Sequence, residues 1–474
     1  MLKSLIIVGI IYISVLLILS WRSRKRNKTA EDFMLAGSNV GLVLGFMTFA
    51  ATLFSTFTLM GMPDFARIHG IGAWIFLAFS DTSMVFLIVW FGFYLRRRVA
   101  KKGFTGMSAL LQQCYRNRWA GFIYFLGVFI FLTPYVAIQI RGVAMFLSEA
   151  FPESLPAWAW SAGIVIIMIT YSELGGLKAI IYADFLQGTL LLIVVWIIAI
   201  SCLNYMDGFA QMFIVVENRN PQLLSTPGPK GLFNVQFLIA SFLAILMMPV
   251  TQPQLSTRLV IMKSIKTMHR MAVAVGIFAM LIIFPTLIIG MYGALKYPDA
   301  TAAEFIGHVL LSDQPAFIGA AAIIGLFAAA MSTSDSQLFA LGNELRGLLL
   351  QGKTESLNKV KSAIIVFALA ALVFSLFSSD QLVLLARMSF AGTAVMAPMV
   401  FLGVLTSRPQ GPVMILLTAI GLVVFVLSEA KVIPQMAGPV RMDLFLMAGL
   451  GICAAIIYTI NNFRKDPIDT DPSF

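Results

Sequence analysis

The chain repeats apolar stretches of roughly 17 or more residues, separated by short polar loops. A run of that length can cross a bilayer as a helix, because in lipid every backbone polar group has to be satisfied within the segment. With 474 residues, 59% of them hydrophobic and 12% charged, and a mean hydropathy of +0.90, the composition is that of a polytopic membrane protein. The net charge of +11 does not indicate nucleic-acid binding, because Lys and Arg are confined to alternate loops.

About thirteen such stretches follow one another and predict transmembrane helices. They cover residues 4–21, 41–66, 72–95, 119–147, 157–171, 176–203, 234–250, 271–295, 316–346, 361–378, 381–405, 412–428 and 443–462. An odd number places the termini on opposite sides, and the first stretch is followed by its basic cluster, so we expect an external N-terminus and a cytoplasmic C-terminus. The predicted cytoplasmic loops then carry basic residues that include Arg96, Lys101, Arg116, Arg258, Lys263, Arg270, Lys353, Arg408 and Lys465.

One of these stretches contains an unusual polar segment, Ala328–Leu338, with four hydroxyls and a carboxylate. At 100° per residue, Ala329, Ser332, Thr333 and Ser336 share one face of the helix. Polar atoms in hydrocarbon are costly, so they could face a cation that needs oxygen ligands. They could equally bond back to carbonyls four residues earlier, and the spacing alone leaves both interpretations open.

Two other stretches are interrupted. The second contains Thr48–Thr58 before Gly61 and Pro63, and the seventh ends in Met247–Pro253. Interrupted helices at equivalent positions in two halves of a chain indicate the central binding site of an inverted-repeat transporter. Pro and Gly also kink membrane helices without any such role, so this pattern is not decisive by itself.

Four motifs together resemble the sodium/solute symporter family, over about residues 1 to 465. They are Gly325–Leu338, Gly175–Gln187, Ala30–Gly37 and Leu59–Pro63. The resemblance implies an all-α membrane protein built from an inverted pair of five-helix units, with one leading and two trailing helices. The corresponding segments are 1–28 (leading helix and basic loop), 29–203 (first repeat), 204–233 (external loop), 234–410 (second repeat) and 411–474 (trailing helices and cytoplasmic tail).

The resemblance also implies a principal sodium site. Its ligands in this sequence would be the backbone carbonyls of Ala51, Phe54 and Ala329 and the hydroxyls of Ser332 and Thr333. The physical reason is that an unwound helix frees carbonyls, which a monovalent cation can satisfy together with neighbouring hydroxyls.

Asp184 and Ser336 are candidates for a second sodium site, since some family members use an equivalent carboxylate with such hydroxyls. Asp184 could instead form an ion pair with Lys178, one or two helical turns away. This sequence has Asp335 where a second site would use a hydroxyl. The number of sodium ions therefore stays open.

For the substrate, the resemblance points to Ser55 and Thr58 on the interrupted helix and, by approximate register with a sialic acid transporter, to Arg141. A guanidinium inside a transmembrane stretch is expensive unless it is paired, and a bidentate grip on a substrate carboxylate would explain Arg141. The alternatives are a salt bridge to Asp81 or a side chain that extends to the outer face. The sequence suggests no partner for the other cation of this kind, Arg387.

These observations predict a transporter of the bacterial inner membrane that imports a small carboxylate-bearing solute, such as a sialic acid or amino acid, by sodium symport with alternating access. Proton coupling through Asp184 or Asp335, and a neutral sugar or vitamin as solute, are the alternatives. An enzyme is disfavoured, because the three histidines lack the spacing of metal ligands. The expected partners are the solute, the sodium ion and the lipid bilayer, with no nucleic acid and no obligate protein partner.

Overall fold

The computed structural model describes residues 2–24, 35–152, 154–350 and 357–463, and within these ranges the chain is almost entirely helical. Its first helices are α1 (Leu2–Arg24), α2 (Leu42–Leu53), α3 (Phe57–His69), α4 (Gly72–Lys102), α5 (Met107–Tyr115), α6 (Arg118–Ala150), α7 (Ala157–Tyr205) and α8 (Phe209–Arg219). They are followed by α9 (Val235–Leu246), α10 (Met248–Thr251), α11 (Pro253–Ile261), α12 (Ile265–Lys296), α13 (Ala302–Ser312), α14 (Ala316–Leu350) and α15 (Leu357–Phe377). The last elements are α16 (Leu382–Ala394), α17 (Ala397–Leu405), α18 (Val413–Glu429), the hairpin β1 (Met436–Ala437) and β2 (Val440–Arg441), and α19 (Met442–Phe463).

These helices confirm the prediction of an all-α polytopic membrane protein. In the described part of the chain, six helices are long and apolar enough to cross a membrane, and the bent pairs α2–α3 and α16–α17 raise this number to eight. Shorter apolar helices occupy the remaining predicted positions: Lys3–Leu16, Ala157–Ile169, Val235–Leu246, Ser362–Phe377 and Val413–Glu429. Parts of the predicted basic loops and of the cytoplasmic tail, with Lys353 and Lys465, lie outside the described residues.

The structure differs from the sequence prediction in three segments. Helical backbone continues through α7, where we predicted two helices at 157–171 and 176–203. The segment 204–233, predicted as a plain external loop, contains α8, which forms because Met212 and Val216 are buried on one of its faces. A further helix, α13, lies in the predicted loop before α14 and begins with a capping box between Thr301 and Glu304.

The surface is apolar, unlike that of a soluble protein, and the largely apolar interior also contains polar and charged side chains. Large apolar side chains point outwards, as Phe86 (76% exposed) and Ile277 (59% exposed) illustrate. Polar and charged side chains such as Thr48, Asp184 and Arg258 are buried instead. In a bilayer this arrangement is favourable only when the inner polar groups bind one another or a transported species. The buried polar groups are therefore candidates for the functional site.

The two interrupted helices are tied together at one end of the bundle. Val40, two residues before α2, accepts a hydrogen bond from Lys263 N (3.0 Å) and donates one to Ile261 O (3.1 Å), at the end of α11. Arg96 on α4 donates to the carbonyls of Leu259 and Val260 at the same place. These contacts close this end of the bundle.

Arg387 on α16, for which the sequence suggested no partner, fastens the last helix to the bundle. It forms an ion pair with Asp443 at the start of α19 and donates from Nε to Ser241 Oγ (2.8 Å). Its guanidinium also lies 4.7 Å from the centre of the Phe237 ring. A buried guanidinium with a carboxylate, a hydroxyl and an aromatic face has few unsatisfied donors, so this residue is explained by packing between helices.

Candidate functional site

The site is built on the interruption between α2 and α3, which meet at an angle of 59°. Phe54, directly after α2, has extended backbone angles (φ −93°, ψ 121°). Ser55 N then donates to the side chain of Thr58 (3.1 Å), so it does not reach the carbonyl of Ala51. Thr58 N donates to Ser55 O (2.9 Å) in place of Phe54 O. The carbonyls of Ala51 and Phe54 are thereby freed from their usual helical partners, as the sequence predicted for an unwound helix.

Two hydroxyls of α14 approach one of these freed carbonyls. Ser332 Oγ lies 3.1 Å from Ala51 O, and Thr333 Oγ1 lies 3.4 Å from the same oxygen. The alternative, in which hydroxyls bond back along their own helix, applies instead to Ser334, which donates to Ala330 O (2.7 Å). Ser332 and Thr333 therefore face α2, where their hydroxyls meet a carbonyl oxygen, and hard cations prefer such oxygen ligands.

A carboxylate stands directly behind this oxygen cluster. Asp184 on α7 is fully buried, and its Oδ1 accepts a hydrogen bond from Ser332 Oγ (2.5 Å). Its Oδ2 accepts one from Thr48 Oγ1 on α2 (2.5 Å). Ser332 thus contacts both the carboxylate of α7 and the freed carbonyl of α2. Ala329, the remaining predicted ligand, is buried one helical turn before Ser332.

The ion-pair partner of Asp184 is Arg258 on α11, and not Lys178 as the alternative interpretation proposed. Arg258 NH2 lies 3.7 Å from Asp184 Oδ2 and 2.7 Å from Ser336 Oγ. We had assigned Arg258 to a cytoplasmic loop, and this was wrong. The helix restarts at Pro253 after the second interruption, and this carries the arginine back into the protein, where it is 1% exposed.

The predicted substrate residues Ser55 and Thr58 both lie, fully buried, at the first interruption. Gln139 on α6, which we did not predict, contacts Ser55 and the backbone of Thr56 at this interruption. Its amide donates to Ser55 Oγ (3.1 Å) and accepts from Thr56 N (3.0 Å). Two tyrosines of α6 also hold the interruptions, since Tyr135 donates to Leu53 O (3.0 Å) and Tyr124 to Thr251 O (2.9 Å).

A signal for this face of α6 was present in the sequence. Tyr124, Tyr135 and Gln139 are three of the polar members of an apolar stretch, and at 100° per residue they fall within about 60° of one another. The ring of Tyr135 packs against Phe57 and Phe390, with ring centres 6.2 Å and 5.0 Å away. One face of α6 therefore lines the interruption with an amide and an aromatic cluster.

Arg141 lies two residues beyond Gln139 but does not bond to the interruption. It forms an ion pair with Asp380, with NH2 and Nε 2.7 Å and 2.9 Å from Oδ1, and both side chains are partly exposed. The alternative prediction, a salt bridge between Arg141 and Asp81, is wrong. Asp81 is buried on α4 and makes no hydrogen bond or ion pair with any residue that the structure describes. The role of Arg141 toward a substrate stays a prediction.

Two interrupted helices, freed carbonyls in the first of them, and a neighbouring helix whose hydroxyls face these carbonyls are typical of a secondary active transporter. The fold is similar to that of a Na+-coupled sialic acid symporter solved in a substrate-bound outward-open state, with a TM-score of 0.79 over 98% of both chains at 17% identity. Among curated relatives, the chain is 24% identical to the sodium/pantothenate symporter of Haemophilus influenzae over 75% of each chain. It is also 24% identical to sodium/proline symporter 2 of Staphylococcus saprophyticus, over 77% of this chain and 73% of the relative.

The chain belongs to the sodium:solute symporter family, whose sequence model matches residues 33–412. It is accordingly an integral membrane protein of a family of sodium-coupled solute transporters, and sodium is its coupling ion. The family and the similar structures are transporters and not enzymes.

Proposed function

We propose that this protein imports a small carboxylate-bearing solute together with sodium across the bacterial inner membrane. The observation that carries the proposal is the convergence of the Ser332 and Thr333 hydroxyls on the freed carbonyl of Ala51. A sodium ion bound there, with the carbonyls of Phe54 and Ala329 as further ligands, would join α2 to α14. Because Ser55 and Thr58 belong to the same interruption, ion and solute would each favour the arrangement that binds the other.

The solute would enter through a cavity of about 300 Å³ that opens beside α3. Its lining includes Gly61, Asp64, His69 and Asp380, and Gly61 lies about one helical turn beyond Thr58. This position supports a path from the outer surface to the interruption. Asp380 also pairs with Arg141, so the arginine stands at the same end of the bundle.

We propose that a substrate carboxylate replaces Asp380 on Arg141 as the solute enters. The pair is partly exposed, and exposed ion pairs are weak, so exchange for another carboxylate is inexpensive. Pantothenate and proline, which the relatives carry according to their names, are both carboxylates. This supports a carboxylate-bearing solute over a neutral sugar.

Alternating access would then require the closed end of the bundle to open. The link between Val40 and the end of α11 has to separate before an ion and a solute at the interruption can leave on that side. We propose that this side is the cytoplasm, which places the N-terminus outside, and that the interruptions belong to five-helix repeats at 29–203 and 234–410. Release into the low-sodium cytoplasm would give the cycle its direction.

A thermal-stability screen of the purified protein tests this function. Proline, pantothenate, N-acetylneuraminate and neutral sugars would be added in sodium chloride and, as the control, in choline chloride. We expect at least one carboxylate to raise Tm, and to raise it more in sodium, because a coupled solute binds more tightly when its ion is present. Equal shifts in sodium and choline would contradict sodium coupling, and shifts by neutral sugars alone would contradict the carboxylate.

A further inference from the structure

Arg258 lies where the resemblance placed a second sodium ion. Its guanidinium NH2 is 2.7 Å from Ser336 Oγ and 3.7 Å from Asp184 Oδ2, the two groups proposed as ligands of that ion. The side chains of Arg258 and Asp184 are each only 1% exposed. A third contact, from NH1 to the carbonyl of Gln254 (3.1 Å), holds the guanidinium to its own helix. Arg258 is therefore a fixed component of this site.

The hydroxyl of Ser336 has no capacity left for an ion while Arg258 is in place. A serine hydroxyl can accept two hydrogen bonds. In this structure Ser336 Oγ accepts one from Thr52 Oγ1 (3.0 Å) and one from Arg258. A sodium ion would have to displace one of these donors before it could bind the oxygen.

The charges of Arg258 and Asp184 also disfavour a second sodium ion. A buried carboxylate needs a positive partner, and Arg258 already supplies one for Asp184. A second sodium ion beside Asp184 would bring another positive charge next to the guanidinium, in a region from which water is excluded and screening is weak. The residues present therefore do not fit a second sodium ion.

We propose that the Arg258 guanidinium permanently takes the place of a second sodium ion, so that a single sodium ion, at the Ala51, Ser332 and Thr333 site, accompanies each solute molecule. The proposal rests on the proposed function, because it assumes that sodium binds at that first site. It assigns to α11, the helix after the second interruption, the role of an internal cation. The coupling ratio of this transporter is then set by one arginine.

Binding of ²²Na⁺ to the purified protein tests the proposal without the solute. We expect one sodium ion per wild-type chain, none in Ser332→Ala, and two in Arg258→Met, where the vacated place becomes available to sodium. The double variant Ser332→Ala/Arg258→Met should bind one ion, at the second place alone. Because Arg258→Met leaves a buried carboxylate uncompensated, Asp184→Asn/Arg258→Met is the matched control, and it should return to one ion.

Two sodium ions per wild-type chain would overturn the proposal, and this measurement does not depend on any variant folding. If Arg258→Met elutes as a monodisperse protein and binds a single sodium ion, the proposal is overturned as well. Failure of the proposed function gives a different result, because the wild-type protein would then bind no sodium. As a second measurement, the sodium dependence of solute uptake should have a Hill coefficient near one in the wild type.

Discussion

At the scale of single residues, the carbonyl of Ala51 connects the broken helix to the rest of the site. It is available because Ser55 N is engaged by Thr58, and both Ser332 and Thr333 reach it from α14. The carboxylate of Asp184 bonds to the same Ser332 hydroxyl. A cation at this point would thus be coupled to three helices through one serine.

The pairing of Arg141 with Asp380 allows the carboxylate proposal to be tested. We expect Arg141→Gln to raise the KM for the carboxylate solute at least about tenfold, because a hydrogen bond to a charged group contributes roughly 1.5 to 3 kcal/mol. Asp380→Asn is the matched control. It should leave the KM unchanged or lower it, since it frees the guanidinium, and should change stability by only about 0 to 1 kcal/mol. Equal increases in KM for both variants would show that the pair is only structural.

At this scale the sequence predicted some residues and missed others. Periodicity places Ser332 and Thr333 on one helix face, whereas their assignment as sodium ligands rests on the family resemblance and stays a prediction. Arg258 was not predicted inside the protein, because its location depends on where the chain restarts a helix after Gln252, and the basic residues around it are typical of a loop. Gln139 was missed because Arg141, two residues later, is the more conspicuous polar group in the same stretch.

At the scale of elements, α3 owes its position to close packing against α12. A Cβ atom at Gly290 of α12 would lie 2.6 Å from Ala66 Cβ, 2.7 Å from Pro63 O and 3.0 Å from Arg67 N. Two of these are backbone atoms that cannot move without shifting α3. A glycine is therefore needed at this crossing to seat the second half of the broken helix.

This crossing gives a prediction for a single methyl group. Gly290→Ala should destabilise the protein by about 1 to 3 kcal/mol through overpacking, and lower Tm in detergent accordingly. Gly449→Ala on α19 is the matched control, because a Cβ there has no neighbour within 4 Å. It should be neutral or slightly stabilising, since alanine favours a helix by roughly 1 kcal/mol over glycine. Equal Tm values for the two variants would contradict the proposed packing.

The positions of the helices were largely predictable, because a bilayer requires long apolar stretches. Interruption of the second and seventh stretches also followed from their Gly, Pro and Thr content. Continuous helical backbone through α7 did not follow, because Gly175 and Gly176 suggested a break between two helices. The helices α8 and α13 were not predicted, because they are short and their amphipathic pattern covers only two or three turns.

At the scale of the whole molecule, the trailing helix α19 is joined to the bundle by charge. Asp443 pairs with Arg387 and also with Arg441, whose NH2 lies 3.2 Å from Asp443 Oδ2. Arg387 has one carboxylate partner in the described part of the chain, whereas Asp443 has two guanidinium partners. Removal of the Asp443 carboxylate should thus change the stability of the protein by a different amount from removal of the Arg387 guanidinium.

We expect Asp443→Asn to destabilise the protein by about 3 to 5 kcal/mol, because it leaves the buried Arg387 without a counter-charge. Arg387→Met should cost less, since Asp443 keeps Arg441. Chemical denaturation in detergent, or the difference in Tm, measures both. If Arg387→Met were the more damaging change, the asymmetry of this ion-pair network would be refuted.

Uptake of the carboxylate solute into proteoliposomes under an inward sodium gradient tests the central claim, that sodium bound between Ala51 and Ser332 drives transport. Wild-type protein should accumulate the solute in sodium and not in choline, and Ser332→Ala should raise the sodium concentration for half-maximal uptake at least about tenfold. Ser334→Ala, which removes a hydroxyl bonded to its own helix, should behave as the wild type. Uptake that is unchanged in choline, or the same in Ser332→Ala as in Ser334→Ala, would contradict the account.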